Sequence, residues 1–171
     1  QPVFKAEMFD VVICNGVLHH TSDPFTGFQS TSKLVKKKGL IIIGLYNKYG
    51  RAFTDLRRCI FSVTGDSLIS LDSRLRDKNN SIYKKRTWLM DQYKNPHESK
   101  HTFDEVLDWF EKMGFEFVNS IPSISGKPVT ADTKLFETSV KGTKLERLSA
   151  QLKMLFSDKE GGFYIMLGRK K

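Results

Sequence analysis

The chain is short of the features that would commit it to a bilayer, a disulfide scaffold or a nucleic-acid arm. Its longest apolar stretch, Leu40 to Tyr46, falls far below the roughly 20 residues that a membrane-spanning helix needs. The first residues show no charged region leading into an apolar segment with a cleavage site. There are only two cysteines, Cys14 and Cys59, and they lack metal-ligand spacing. No disulfide framework follows from them, and a reducing, cytoplasmic setting is expected. Cys14, within an apolar segment, reads as a small buried hydrophobe. The net charge is +9, yet Lys36-Lys37-Lys38, Lys84-Lys85-Arg86 and Arg169-Lys170-Lys171 stop short of the five or six like charges of a basic arm. These cations are therefore expected at scattered solvated positions, with attraction of nucleic acid as the alternative. Repeats and low-complexity tracts are absent, and so is any G-x-G sequence.

What remains is an α/β pattern of a size for one domain, 171 residues. Phe9 to Cys14 is a short apolar run, β-branched at its centre, of the kind found in strands covered on both faces. Ser22 or Asp23 can cap a helix with Pro24 in its first turn. That helix would carry Phe25, Phe28, Ser32 and Val35 on one side and end in lysines before Gly39. Gly39 to Tyr46 follows as a second buried strand, completing a βαβ unit with parallel strands. Residues 51–64 read as a helix striped by Phe53, Leu56, Ile60 and Val63, and Ser81 to Tyr93 as another, aligned on Ile82, Leu89, Met90 and Tyr93. Residues 51–100 thus form a helical insertion, too long for an ordinary connection and a candidate lid or recognition element. Thr102 and Glu105 form a capping box for the next helix, closed by Gly114. A strand at Phe115 to Ile121, a helix from Lys144 to Phe156 striped by Leu145, Leu148, Leu152 and Leu155, and a last strand from Phe163 complete the order. The chain opens on Gln1 and enters a buried-type strand with little polar lead-in, so a fragment is expected.

The stretch Pro96-His97-Glu98-Ser99-Lys100-His101 contains H-E-x-x-H, which binds zinc when both histidines share one face of a formed helix. Here the capping box starts the helix after His101, and Pro96 disfavours helical geometry at Asn95. The stretch is therefore expected to connect two helices, without a metal. Asp91, Gln92, Tyr93, Asn95, His97, Glu98 and His101 nevertheless crowd polar and titratable groups into one connection, where functional residues concentrate.

The run from Phe9 to His20, then Asp23-Pro24, then Lys37-Lys38-Gly39 and a hydrophobic strand, resembles the second half of class I S-adenosylmethionine-dependent methyltransferases. The resemblance implies the carboxyl-terminal half of a Rossmann-like sheet, strands four to seven, with the last strand antiparallel between its neighbours. It implies S-adenosylmethionine as cofactor, with Asn15, Gly16 and Val17 beside its methionine end. The family's glycine-rich loop and ribose-binding acid are not in these residues, so a missing amino-terminal half of the same protein would complete the site. Ligands in open α/β sheets lie beyond the carboxyl ends of the strands. His19, His20 and Tyr46 are candidates there for contacting substrate or moving a proton. Asn47, Tyr49, Arg51, Tyr93, His97 and His101 are candidates for binding an acceptor whose identity the sequence does not give. The competing expectation is a non-catalytic basic module facing nucleic acid.

Overall fold

A computed structural model describes residues 4–65, 71–94, 97–156 and 161–171. Gln1, Asn95 and Pro96, which entered the sequence reading, lie outside the described residues. Four strands, β1 (Phe9–Asn15), β2 (Val35–Tyr46), β3 (Phe115–Ile121) and β4 (Phe163–Lys170), form one sheet in the order β1-β2-β4-β3. β1 and β2 are parallel, with Asn15 opposite Gly44, and β4 runs antiparallel to both β2 and β3. The carboxyl ends of β1, β2 and β3 therefore share one rim, where β4 begins.

The helix expected to run to Gly39 stops earlier. α1 spans Pro24–Ser32, with the Asp23 carboxylate accepting from the backbone N–H groups of Phe25 and Thr26. Its last turn carries Ser30, Thr31 and Ser32, whose hydroxyls donate back to carbonyls within the helix. Such side chains compete with the backbone and favour ending a helix. Leu34 then accepts from the N–H groups of Met8 and Phe9, and Val35 opens a strand instead of continuing the helix.

On one sheet face, Phe28 from α1 packs with Trp109 and Phe110 from α5 (Phe103–Lys112) and with Phe115, ring centroids 5.8 to 6.1 Å apart. α5 forms where expected: Thr102 Oγ1 accepts from Glu105 N at 3.2 Å, and Glu105 Oε2 accepts from Thr102 N at 2.7 Å. Ile41, Ile43, Leu45, Tyr164 and Met166 supply the sheet side of this core, and Cys14 is buried in it. The other face is open at β1, where Val11 and Ile13 are exposed, Ile13 by 66%. This corrects the expectation that β1 is covered on both faces. Its apolar run carries the pattern of a doubly covered strand, but the described chain places a helix layer on one side only.

Two helices are rotated from the orientation their apolar stripes suggest. α6 (Lys144–Leu155) buries Arg147, Ala150, Gln151 and Met154, leaving Leu145, Leu148 and Leu152 exposed. Polar anchors set this rotation. Arg147 Nε donates to Asp104 Oδ1 at 2.9 Å, and Gln151 Oε1 accepts from Asn47 Nδ2 and from Phe103 N, each at 2.9 Å. Likewise α2 (Ala52–Thr64) buries Thr54 and Phe61, whereas Phe53, Leu56 and Val63 face outward. The rest of the 51–100 segment is α3 (Ser73–Arg76), α4 (Ile82–Leu89) and a wide turn at Met90–Lys94, with Phe61, Leu75 and Tyr93 forming a small separate core.

Candidate functional site at the sheet rim

β1 ends at Asn15, and Gly16 turns the chain away with φ of +74°, a conformation open to glycine at no steric cost. The Asn15 amide lies over Gly44: a Cβ built there would sit 1.8 Å from Asn15 Oδ1 and 2.5 Å from the Phe163 ring. Gly44 is thus a clearance that lets the side chains of neighbouring strands meet at the rim. A short 3₁₀ turn at Leu18–His20 follows, with Val17 exposed before it.

That turn buries His19. Its ring meets those of His20, Tyr46 and Phe163 at centroid distances of 4.1, 4.6 and 6.4 Å, and its Nδ1 has no hydrogen-bond partner among the described residues. Burial, reinforced by the neighbouring His20, lowers its pKa to about 4, so the ring is neutral at physiological pH. His20 Nδ1 lies 2.9 Å from the carbonyl of His97, which only accepts, so Nδ1 carries the hydrogen of that contact. Burial also raises the pKa of Tyr46, against the hydrogen bond from Gln92 and the charge of Arg51, and keeps its hydroxyl protonated.

Arg51 and Glu98, near the two ends of the 51–100 segment, meet beside this rim. The guanidinium makes a bidentate pair with the carboxylate, Nε to Oε1 at 2.9 Å and Nη2 to Oε2 at 2.6 Å, and neither side chain has appreciable exposure. Arg51 Nη1 also donates to Gln92 Oε1 and to the Gly161 carbonyl, and its Cζ lies 3.8 Å above the Tyr46 ring. Gln92 Nε2 donates to the Tyr46 hydroxyl at 3.0 Å. Arg58 Nη2 adds bonds to Gln92 O at 2.6 Å and to Glu98 Oε2 at 3.2 Å. Burial opposes ionisation of Glu98, but Arg51, Arg58 and Lys100 prevail and hold its pKa below the ordinary glutamate range.

The rim therefore gathers His19, His20, Tyr46, Arg51, His97 and His101 around one patch. Their parts differ. Arg51 and Asn47 are wholly buried with their polar atoms engaged by protein: Asn47 Oδ1 accepts from the N–H groups of Tyr49 and Gly50, and its Nδ2 donates to Gln151. These two hold the rim's shape. Tyr93 lies away from the patch, its hydroxyl on Asp72 at 2.5 Å and its ring against Phe61. Tyr49 is exposed beyond the rim. His97 and His101 lie outside any helix; His101 Nε2 is 2.8 Å from Ser99 Oγ, and its backbone N–H donates to Tyr46 O. With Glu98 committed to two arginines, the H-E-x-x-H letters do not converge, and no group of three metal-ligating side chains is found among the described residues. Phe163 and Arg58 are partners of the patch that sequence reasoning missed. Phe163 looks like any strand opener, and Arg58 is one of many surface-type cations.

The strand order and the shared carboxyl rim are those of a Rossmann-like α/β fold also found in solved methyltransferase structures. Residues 1–43 match the family model described as a methyltransferase domain. Among solved structures, PKMT2 from Rickettsia typhi aligns at 12% identity and a TM-score of 0.62, covering 95% of this chain and 35% of its own. The same protein in complex with AdoHcy aligns at 13% identity and a TM-score of 0.61, covering 98% of this chain and 36% of its own. An S-adenosylmethionine-dependent methyltransferase from Mesorhizobium loti aligns at 11% identity and a TM-score of 0.50, covering 99% and 65%. The chain thus spans about a third of the first of these proteins. No described helix is long and apolar enough to cross a membrane.

Proposed function

We propose that these residues form the carboxyl-terminal, acceptor-facing half of a methyltransferase that uses S-adenosylmethionine, with β1 to β4 corresponding to strands four, five, six and seven. One observation carries the reading: parallel β1 and β2 deliver Asn15, His19 and Tyr46 to one rim, beside a glycine turn with open space around it. The residues present fit one side of the donor. The Asn15 amide can hydrogen-bond its polar methionine end, and Gly16 leaves room for close approach. S-adenosylmethionine would supply an electrophilic methyl group. The glycine-rich loop and ribose-binding acid would come from residues outside these 171, which agrees with the exposed Val11 and Ile13 on β1.

The chemistry of the rim suits transfer by positioning. In-line displacement gains most from holding nucleophile and methyl in register. Neutral His19 and Tyr46 O–H can orient an acceptor, and His20 Nε2 is a candidate to take its proton. The 51–100 segment, latched by Arg51–Glu98, would act as the acceptor-selecting lid. Titrating the full-length protein with S-adenosylhomocysteine by calorimetry tests this. Micromolar binding that weakens at least tenfold in Asn15→Ala supports the reading, and absence of binding refutes it.

A second reading, a basic module that binds RNA without catalysis, draws on α4. None of its residues is buried, and it exposes Tyr83 beside Lys84 and Lys85. RNA affinity falling steeply with salt, in a protein that ignores S-adenosylhomocysteine, would favour it.

A further inference from the structure

One cavity lies apart from the His19–Tyr46 patch. It lies at the other end of the same rim, where β3 ends and β4 begins, and measures about 440 Å³. Ile121, Pro122, Pro128, Val129, Ala150 and Met154 give it apolar walls, and Lys127 and Lys153 stand at its edge. We propose that this cavity is a binding site for a small amphipathic anion, an apolar body carrying one carboxylate or a group of like charge. This site stands whether or not the rim transfers methyl groups.

Three features make it a formed site rather than a loose gap. First, the outer wall is anchored. Ile124 is buried in the main core, its N–H donates to Ser120 Oγ at 2.9 Å, and Gly126 N donates to Ser123 O at 3.1 Å. With Pro122 and Pro128 restricting the backbone, this loop stands off α6 without collapsing onto it. Second, the floor is kept low by small residues. A Cβ on Gly162 would lie 2.6 Å from the Gly50 backbone, so the chain passes there only as glycine. Ala150 occupies the inward face of α6 where a larger side chain would enter the space, and Met154 beside it adapts readily to the shape of a ligand. Third, the charge is one-sided. Among the described residues the lining has two ammonium groups and no carboxylate. Neither lysine is engaged in a hydrogen bond or ion pair among the described residues; Glu146, whose carboxylate is bound to Thr143, is the acid that senses Lys127 from outside the lining.

The volume falls in the range of small-molecule sites, which are mostly apolar with a few polar groups to fix orientation. Burial of the apolar body would supply most of the affinity, and the lysines would select the charge. An exposed ammonium contributes at most roughly fivefold to an ion pair, so the two lysines together supply at most about 25-fold.

The test uses the full-length protein with decanoate as probe, read by displacement of the fluorescent sulfonate 1-anilinonaphthalene-8-sulfonate, against decanol and decyltrimethylammonium. The expected result is decanoate binding about tenfold tighter than decanol and still tighter than the cation. Lys127→Met with Lys153→Met should remove that preference and leave decanol unchanged. Ala150→Leu should weaken all three probes; should it unfold the protein by circular dichroism, Val129→Asp on the exposed wall replaces it, expected to lower decanoate binding at least tenfold. A Leu148→Glu variant separates the cavity from the leucine stripe on α6 and should leave decanoate binding unchanged. Equal affinity for decanoate and decanol, a preference that survives loss of both lysines, or loss of binding in Leu148→Glu would each overturn the proposal.

Discussion

Replacing Glu98 by glutamine removes one charge from a pair that has almost no contact with water. The substitution leaves the buried Arg51 guanidinium facing a neutral amide and Gln92. Breaking a buried pair from one side costs about 3–5 kcal/mol, because the remaining charge stays desolvated. Arg58, partly exposed, recovers little of this, since it can turn to water. At a urea dependence near 2 kcal/mol per molar, the midpoint of unfolding should fall by roughly 1.5–2.5 M. Two tryptophans report on where the loss is felt. Trp88 lies in the inserted segment, with its Nε1 on Asp72 at 3.0 Å, and Trp109 lies in the main core. Because Glu98 holds Arg51 against Tyr46 and Gly161, its loss loosens the 51–100 segment from the rim, and Trp88 fluorescence should change at lower urea than Trp109. The double variant Arg51→Met, Glu98→Leu should recover most of the loss, since replacing both charges by apolar groups is near neutral. The lowered pKa of Glu98 means that the pair stabilises the fold above the ordinary glutamate range and that this contribution disappears as pH falls through the depressed value. A midpoint shift under 0.5 M in Glu98→Gln, or a double variant as unstable as the single one, would refute the reasoning.

Three further outcomes are expected. His19 has a folded pKa of about 4 against an unfolded value near 6.5, so its contribution to stability is complete above pH 6.5 and lost on acidification toward 4, on the order of 3 kcal/mol; urea midpoints across that range should fall in the wild type and stay flatter in His19→Phe. Gly44→Ala places a methyl where the Asn15 amide and Phe163 ring now lie, so it should weaken S-adenosylhomocysteine binding as much as Asn15→Ala does, with calorimetry as the readout and equal wild-type affinity as the contrary result. Leu148→Lys and Leu152→Lys, on the outward face of α6, should change stability by no more than about 0.5 kcal/mol, whereas Met154→Lys on its inward face should cost several; thermal melts that reverse this ranking would mean the helix is turned the other way.

The elements that sequence reading located well are those where local chemistry and tertiary packing agree. Thr102 and Glu105 announce α5 because a capping box satisfies N–H groups whatever lies above it. The alternation of glycine turns with β-branched runs marks β1 and β2, and a shared rim for Asn15 and Tyr46 follows from a parallel pair. Where reading failed, a distant partner decided. The leucine stripe of α6 faces outward because Gln151 must meet Asn47, 104 residues away in sequence, and Arg147 must meet Asp104. Nothing local in the helix encodes those partners. An unsatisfied buried amide or guanidinium costs more than an exposed leucine loses, so the polar anchors fix the rotation.

The same logic governs the candidate site. Arg51 and Asn47 read from sequence as groups available to a ligand, since polar residues after a strand end so often are. In the fold each is enclosed by protein partners from the insert or from α6, and their work is to hold Tyr46 and the turn after it in place. What stays presented at the rim is a smaller, less charged set, the Asn15 amide, the His20 ring and the Tyr46 hydroxyl, backed by the buried His19 ring. A neutral rim is what displacement at a cationic sulfonium tolerates best, because a fixed positive charge at the donor would repel it and a fixed negative one would bind it without favouring the transfer. Arg51, read from the sequence as a candidate acceptor contact, is held by Glu98 instead, so on the proposed reading Glu98→Gln should disturb acceptor selection as well as stability.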